Sequence, residues 1–247
     1  MGYIEPHAGL LDVPDDEHHL YKIITIENLM KSILGEYLYF NRVDSYCDFK
    51  GADPNDGEQL PKDREGNANS PFEKAPSFTA ETYYDNSRHR TYACCFSLEN
   101  TDYIWKNYGR GGKKGKLCLV FKFSKLKETL NKELSNGGLL IGEERCNQIF
   151  DINYGIIKYV NKSKEQINLE YSPNPIEYCY MKDHRFKHER ELRISLSTLG
   201  IGSYVLQHSQ LDFPSSLFVR FDFKQAIKDG TIVNILTRSN KIFDCSP

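Results

Sequence analysis

The segment "FKHERELRIS", residues 186–195, places charged residues directly ahead of an alternating strand pattern. A strand turns successive side chains to opposite faces. Glu189, Glu191 and Arg193 therefore fall on one face, and Leu192, Ile194 and Leu196 on the other. Two carboxylates aimed the same way can move a proton or stabilise positive charge that develops in a transition state. The alternative is an ion-pair face, neutralised by neighbouring strands and without chemistry. Spacing alone leaves both open.

Other segments carry weaker chemistry. Cys179, His184 and His188 could be zinc ligands if 184–188 is helical, but no Cys-x-x-Cys pair accompanies them. Asp44, Asp48 and Glu189 could build a nuclease-type carboxylate cluster only if the fold gathers them. "GRGGKKGK", residues 109–116, lacks the spacing of a phosphate loop and reads as a basic hairpin turn at a cleft rim. Cys94 and Cys95 sit in an apolar strand, where a thiol is buried and inert by default. In "CCFSLENTDYIWKNYG" Ser97 ends a strand, and Trp105 and Tyr108 are three apart on the following helix. That pattern fits core packing, or the wall of a pocket for a flat heterocycle.

The elements that must hold these residues read as follows. Leu20–Ile24 is a strand, Thr25 caps a helix that Gly35 stops, and "YLYFN" is a second strand. Residues 48–77 have no periodicity and read as a long polar loop or insertion. "TYACCFS" and "KLCLVFKF" are strands, Thr101 caps the helix after the first, and Ser124 caps an amphipathic helix after the second. Further strands are expected at 153–160, 177–181, 190–196, 216–223 and 231–236. Strands with interspersed short helices, and no steady alternation, predict one α+β domain over 1–247 with a mostly antiparallel or mixed sheet.

Composition narrows the classes. A formal charge of −2 gives no bulk attraction to nucleic acid or anionic membrane, although a local basic patch is compatible with it. Sixteen Tyr and fourteen Phe against three Met point to aromatic packing and amphipathic cleft walls. No apolar run approaches the roughly 20 residues that span a bilayer. The acidic start lacks the features of a signal peptide, and seven irregularly spaced Cys do not suggest a disulfide framework. These features predict a reduced, cytoplasmic protein.

Three segments together resemble the bacterial family known as domain of unknown function 2971. They are "LYKIITIENLMKSILGEYLYFNRVDSYCDF", "YACCFSLENTDYIWKNYGRGGKKGKLCLVF" and "ERELRIS". The order of strand and helix, a strand ending in Ser and a late Glu-x-Glu strand is more distantly similar to ADP-ribosyltransferases. That resemblance implies a split sheet and NAD as substrate, with no metal. Lys22 stands where those enzymes carry Arg or His, Ser97 at their Ser and Glu191 at their Glu. Glu191 would then stabilise the ribosyl cation and Glu189 would orient or deprotonate the acceptor. Lys22, with Tyr21 beside it, would meet pyrophosphate or ribose. Ser97 would fix the nicotinamide, walled by Trp105 or Tyr108. The acceptor could be protein, nucleic acid or water, and the setting a toxin or phage-defence effector. The alternatives are a non-catalytic nucleotide- or partner-binding module and the metal-dependent nuclease.

Overall fold

Thr25 decides where the first strand ends. The computed structural model describes residues 10–48, 51–73, 75–145, 150–167, 174–198, 205–206, 209–210 and 214–238. In it β1 (His19–Thr25) runs into α1 (Ile26–Gly35), and the Thr25 hydroxyl accepts the Asn28 N–H at 3.2 Å. The helix does not stop on a left-handed glycine. Glu36 takes that conformation, at φ 50°, and β2 (Tyr37–Arg42) follows.

Eight more strands complete the main sheet: β3 (Thr91–Ser97), β4 (Lys116–Lys122), β5 (Leu139–Ile141), β6 (Glu144–Arg145), β7 (Phe150–Ile156), β8 (Glu191–Thr198), β9 (Ser216–Arg220) and β10 (Ile232–Leu236). Every pairing described in this sheet is antiparallel. With short helices beside it, the fold is α+β.

β3 is the junction. Along one edge it pairs β8 from Ser97↔Glu191 to Thr91↔Ser197, and β7 lies outside β8. On its other edge β1 meets it only at Tyr21↔Ser97, and β2 only at Ala93↔Asn41 and Tyr92↔Arg42. Two arms therefore leave β3 from its opposite ends. One continues through β4 and β10, the other through β9, β5 and β6. Cys94, Cys95 and Phe96 face a gap where no strand among the described residues pairs them on that edge.

One face of the sheet carries the main core. Leu192, Ile194 and Leu196 meet Leu126, Leu130 and Leu134 of α5 (Phe123–Ser135) there. Each fully buried leucine stabilises by about 1.5–3 kcal/mol. α5 starts one residue before the expected cap, with Lys122 at the cap position and no side-chain bond. The helix is held by its buried stripe and not by Ser124.

The polar stretch at 48–77 is ordered structure and not a bare loop. It contains α2 (Pro61–Ala68) and buries Asp53, Asp56, Gln59, Leu60, Asp63 and Asn67. α2 packs beside α3 (Ala80–Arg88), where Arg64 bridges Glu81 and Asp85. Residues 49, 50 and 74 of that stretch, and the first nine residues, lie outside the described residues. The strand expected at 177–181 is a 3-10 helix, Pro175–Tyr180, started by an Asn174–Glu177 capping box, with a short strand Met181–Asp183 after it. The strand expected at 153–160 breaks at Ile157 into β7 and the segment Lys158–Val160, which pairs Met181–Asp183 in parallel. The strand expected at 216–223 ends at Arg220, because Asp222 caps α6 (Phe223–Lys228). No helix among the described residues is long and apolar enough to cross a membrane.

Candidate functional site

The gap between the arms opens into a cleft of about 910 Å³. That is the upper part of the range typical of small-molecule sites. Of the residues singled out in the sequence, Tyr21, Lys22, Ser97, Tyr108, Glu189 and Glu191 line it. Trp105 does not. It is 6% exposed and packs with Ile104 and Cys118, its indole N–H donating to Asn100 at 2.7 Å. The two aromatics part because α4 (Asp102–Asn107) ends before Tyr108, which is extended at φ −104° and ψ 161°. Trp105 stays on the helix face toward the core, and Tyr108 swings to the cleft.

The closed end of the cleft is a buried charge cluster. Arg193 makes a two-pronged bond to Asp56, with both N···O distances at 2.8 Å, and also holds Glu191 at 2.8 and 2.9 Å. The Lys182 ammonium donates to Glu189 at 2.7 Å and Glu191 at 2.6 Å, and lies 3.6 Å from Asp56. Three carboxylates thus share two cations. Glu189 does not belong to the strand as the alternation suggested. It ends the 3-10 helix His184–Glu189, and Arg190, at φ 47°, turns the chain into β8. Both carboxylates still reach one ammonium.

Their protonation differs. Burial disfavours ionised Glu191, but the Arg193 guanidinium and the Lys182 ammonium outweigh it and hold the carboxyl down to about 2. Burial pushes Glu189 up, and the Glu191 charge adds to this, while Lys182, divided among several carboxylates, opposes it incompletely. Lys182 itself is buried, yet Glu191, Asp56 and Glu189 drive it well above the ordinary lysine range. Tyr108 hydrogen-bonds Glu189, and the Tyr159 hydroxyl accepts the Glu191 N–H at 2.9 Å. Burial and the nearby Glu191 charge raise Cys95 to about 12, so it is a thiol and not a nucleophile.

Ser97 and Lys22 have main-chain tasks. The Ser97 hydroxyl lies 2.8 Å from the Glu189 carbonyl and 2.9 Å from that of Glu99, tying the end of β3 to the turn before β8. Lys22 reaches from β1 across the gap to the Cys95 carbonyl at 2.9 Å and lies 4.8 Å from the centre of the Phe96 ring. That contact satisfies an acceptor on the strand edge that neither arm covers.

Among the described residues, no group of three or more His, Cys, Asp or Glu side chains is placed to hold a metal ion. Cys179 is buried in an apolar cluster, and His184 and His188 lie on a 3-10 helix, where residues four apart do not share a face. Asp44 is engaged by Arg42 and His89, while Glu189 is engaged by Lys182. The Asp48 side chain lies outside the described residues.

Sequence reasoning missed Lys182 and Asp56. A signal existed: Glu-x-Glu-x-Arg in a strand this apolar requires counter-charges from elsewhere in the chain.

No family model, no curated protein and no solved structure matches the chain. Function must therefore be read from the chemistry of the cleft.

Proposed function

We propose that this protein is an NAD-consuming enzyme of the ADP-ribosyltransferase type. In the reaction the bond between ribose C1′ and the nicotinamide nitrogen breaks. Its electron pair goes to the ring, neutralising the pyridinium, and positive charge appears on the ribose. The observation that carries the reading is the cleft at the sheet split, where an ionised carboxylate held rigidly at one end shares a cavity with unneutralised cations. Glu191 stabilises the ribosyl cation because its charge persists down to about pH 2. Lys22, Lys31 and Arg110 line the same cleft, and none has a carboxylate partner among the described residues. They suit the diphosphate. Tyr108 and Tyr21 flank the ring, and Glu189, with its raised affinity for a proton, meets the acceptor.

A second reading has one observation in its favour. Both Glu191 oxygens are already engaged by Arg193 and Lys182, which suits a site that binds a nucleotide without cleaving it. Incubation with NAD labelled in either half separates the two. Free nicotinamide, with adenylate label on protein, nucleic acid or released ADP-ribose, is expected from the enzyme. Saturable NAD binding with no nicotinamide release would leave only the binding module.

A further inference from the structure

The arm of the sheet opposite Lys22 exposes aromatic surface. In β2, Leu38 and Phe40 enter the core, so Tyr37 and Tyr39 project from the other face. Phe218 of β9 pairs opposite Tyr39, and its ring centre lies 4.4 Å from that of Tyr37 and 5.7 Å from that of Tyr39. All three rings line the cleft, and Tyr39 is 43% exposed. Solvent-facing aromatic surface of this kind is kept for binding more often than for stability.

The backbone is shaped around one of these rings. A Cβ at Gly35 would lie 2.5 Å from the Tyr37 ring. The glycine supplies space here, while the left-handed conformation falls on Glu36, a residue poorly suited to it. The arrangement keeps Tyr37 where it is at the expense of the helix end.

The cleft is also long. From Ala93, beside Asn41, to Ser97, beside Glu191, β3 advances four residues, or roughly 13 Å. β2 runs antiparallel to β3, so Tyr39 falls level with Cys95 and Tyr37 with Ser97. Both are set off from Glu191 across β3 and the gap, at least two strand spacings or roughly 10 Å. A ligand that touches both Glu191 and the rings must span that width, with a second flat group away from Glu191 and anionic charge between. Lys31 of α1 and Lys22 of β1 line the cleft without carboxylate partners among the described residues, so they complement such a charge.

Resting on the function proposed above, we propose that Tyr37, Tyr39 and Phe218 form a base-stacking platform for the purine of a dinucleotide whose diphosphate crosses the cations. The test uses ADP, which carries this end of the ligand and lacks the scissile bond. Calorimetric titration of the full chain should show saturable ADP binding. Tyr39→Ala and Phe218→Ala should each weaken it about tenfold or more, the scale of one lost base–aromatic stack. Tyr39→Phe, which keeps the ring, should stay within about twofold. Gly35→Ala, which displaces Tyr37, should weaken ADP binding at matched thermal stability. No ADP binding to the wild type at millimolar concentration, or unchanged binding in both alanine variants, overturns the platform. Nicotinamide release by the same wild-type sample judges the reaction separately. Release together with unaltered ADP binding in the variants sinks the platform alone. ADP binding lost in the variants, with no release, upholds the platform and sinks the reaction.

Discussion

At the closed end of the cleft, five ionisable side chains (Asp56, Lys182, Glu189, Glu191 and Arg193) satisfy one another, and each is at most 6% exposed. At the open end stand three aromatic rings, and the three cations that line the cleft have no carboxylate partner among the described residues. The closed end is finished before any ligand arrives, so it can fix charge and geometry but has little capacity left for binding. The open end has the reverse character. In this cleft preorganisation and affinity are properties of different strands, and substitutions should separate them.

The largest effect is expected at Arg193, which is fully buried. Arg193→Ala leaves Asp56 and Glu191 facing each other without the guanidinium, and breaking such a buried pair costs about 3–5 kcal/mol. Urea denaturation should show it. A loss below about 1 kcal/mol would mean that water reaches the cluster, and the contrast between the two ends would collapse.

Next come the two glutamates. Glu191→Gln keeps the shape and removes the charge, and nicotinamide release should fall by at least ~100-fold, the scale of one preorganised electrostatic group. A carboxylate in a wet cleft would be expected to tolerate this change without loss of stability. The pairing of Glu191 with Arg193 and Lys182 overturns that expectation, so the variant should also be less stable at neutral pH. Glu189→Gln should impair transfer to an acceptor more than NAD cleavage. Activity equal to wild type for Glu191→Gln, at matched folding, would remove the mechanism.

The same pair differs in pH dependence. Glu191 is held below its unfolded value of about 4.3, so its contribution to stability is present above that value. It is lost as pH falls toward about 2. Glu189 is raised, so its proton favours the folded state, and stability is lost as pH rises through its folded value. Acid titration of the two Gln variants by circular dichroism should diverge from wild type in opposite pH ranges. Parallel curves would show that the carboxylates are equivalent.

The smallest effects belong to the rim. Lys31→Gln and Arg110→Gln should each weaken ADP binding by up to about fivefold at low salt, as expected for exposed charges worth about 0.2–1 kcal/mol. The difference should shrink as salt rises. Lys113 and Lys114 do not line the cleft, although the glycine-rich turn that carries them does reach it through Gly109 and Arg110. Their neutralisation should leave affinity unchanged. An equal effect of all four would mean that a diffuse field, not a placed set of cations, attracts the ligand.

What could be read in the sequence follows from how local each cause is. The strands around Leu20–Ile24, Thr91–Ser97 and Glu191–Leu196 show in their alternation, and Thr25 and Thr101 show as caps because the bond spans three residues. From these strands came the cleft residues Lys22, Ser97 and Glu191. The folded insertion was hidden because polar residues such as Asp53, Asp56 and Asp63 do much of its packing, and no apolar periodicity marks it. Lys182 could not be chosen among the other lysines until Met181–Asp183 was set beside Lys158–Val160. The expectation at 177–181 failed for a local reason, since Asn174 and Pro175 start a 3-10 helix through a run of residues that otherwise suits a strand.

Asp56 and Arg193 are 137 positions apart, and this separation has a consequence in time. At roughly 5–20 residues per second, a ribosome takes on the order of 7–30 seconds to make the chain between them. Throughout that interval the insertion carries an acid with no guanidinium to receive it, and Glu191 has not yet been made. The chemical end of the cleft therefore cannot form until β8 has been made, by a contact that closes over more than half of the chain. The aromatic platform waits longer still, because Phe218 of β9 is made after Arg193, so a nascent chain that ends at β2 holds neither half of the cleft.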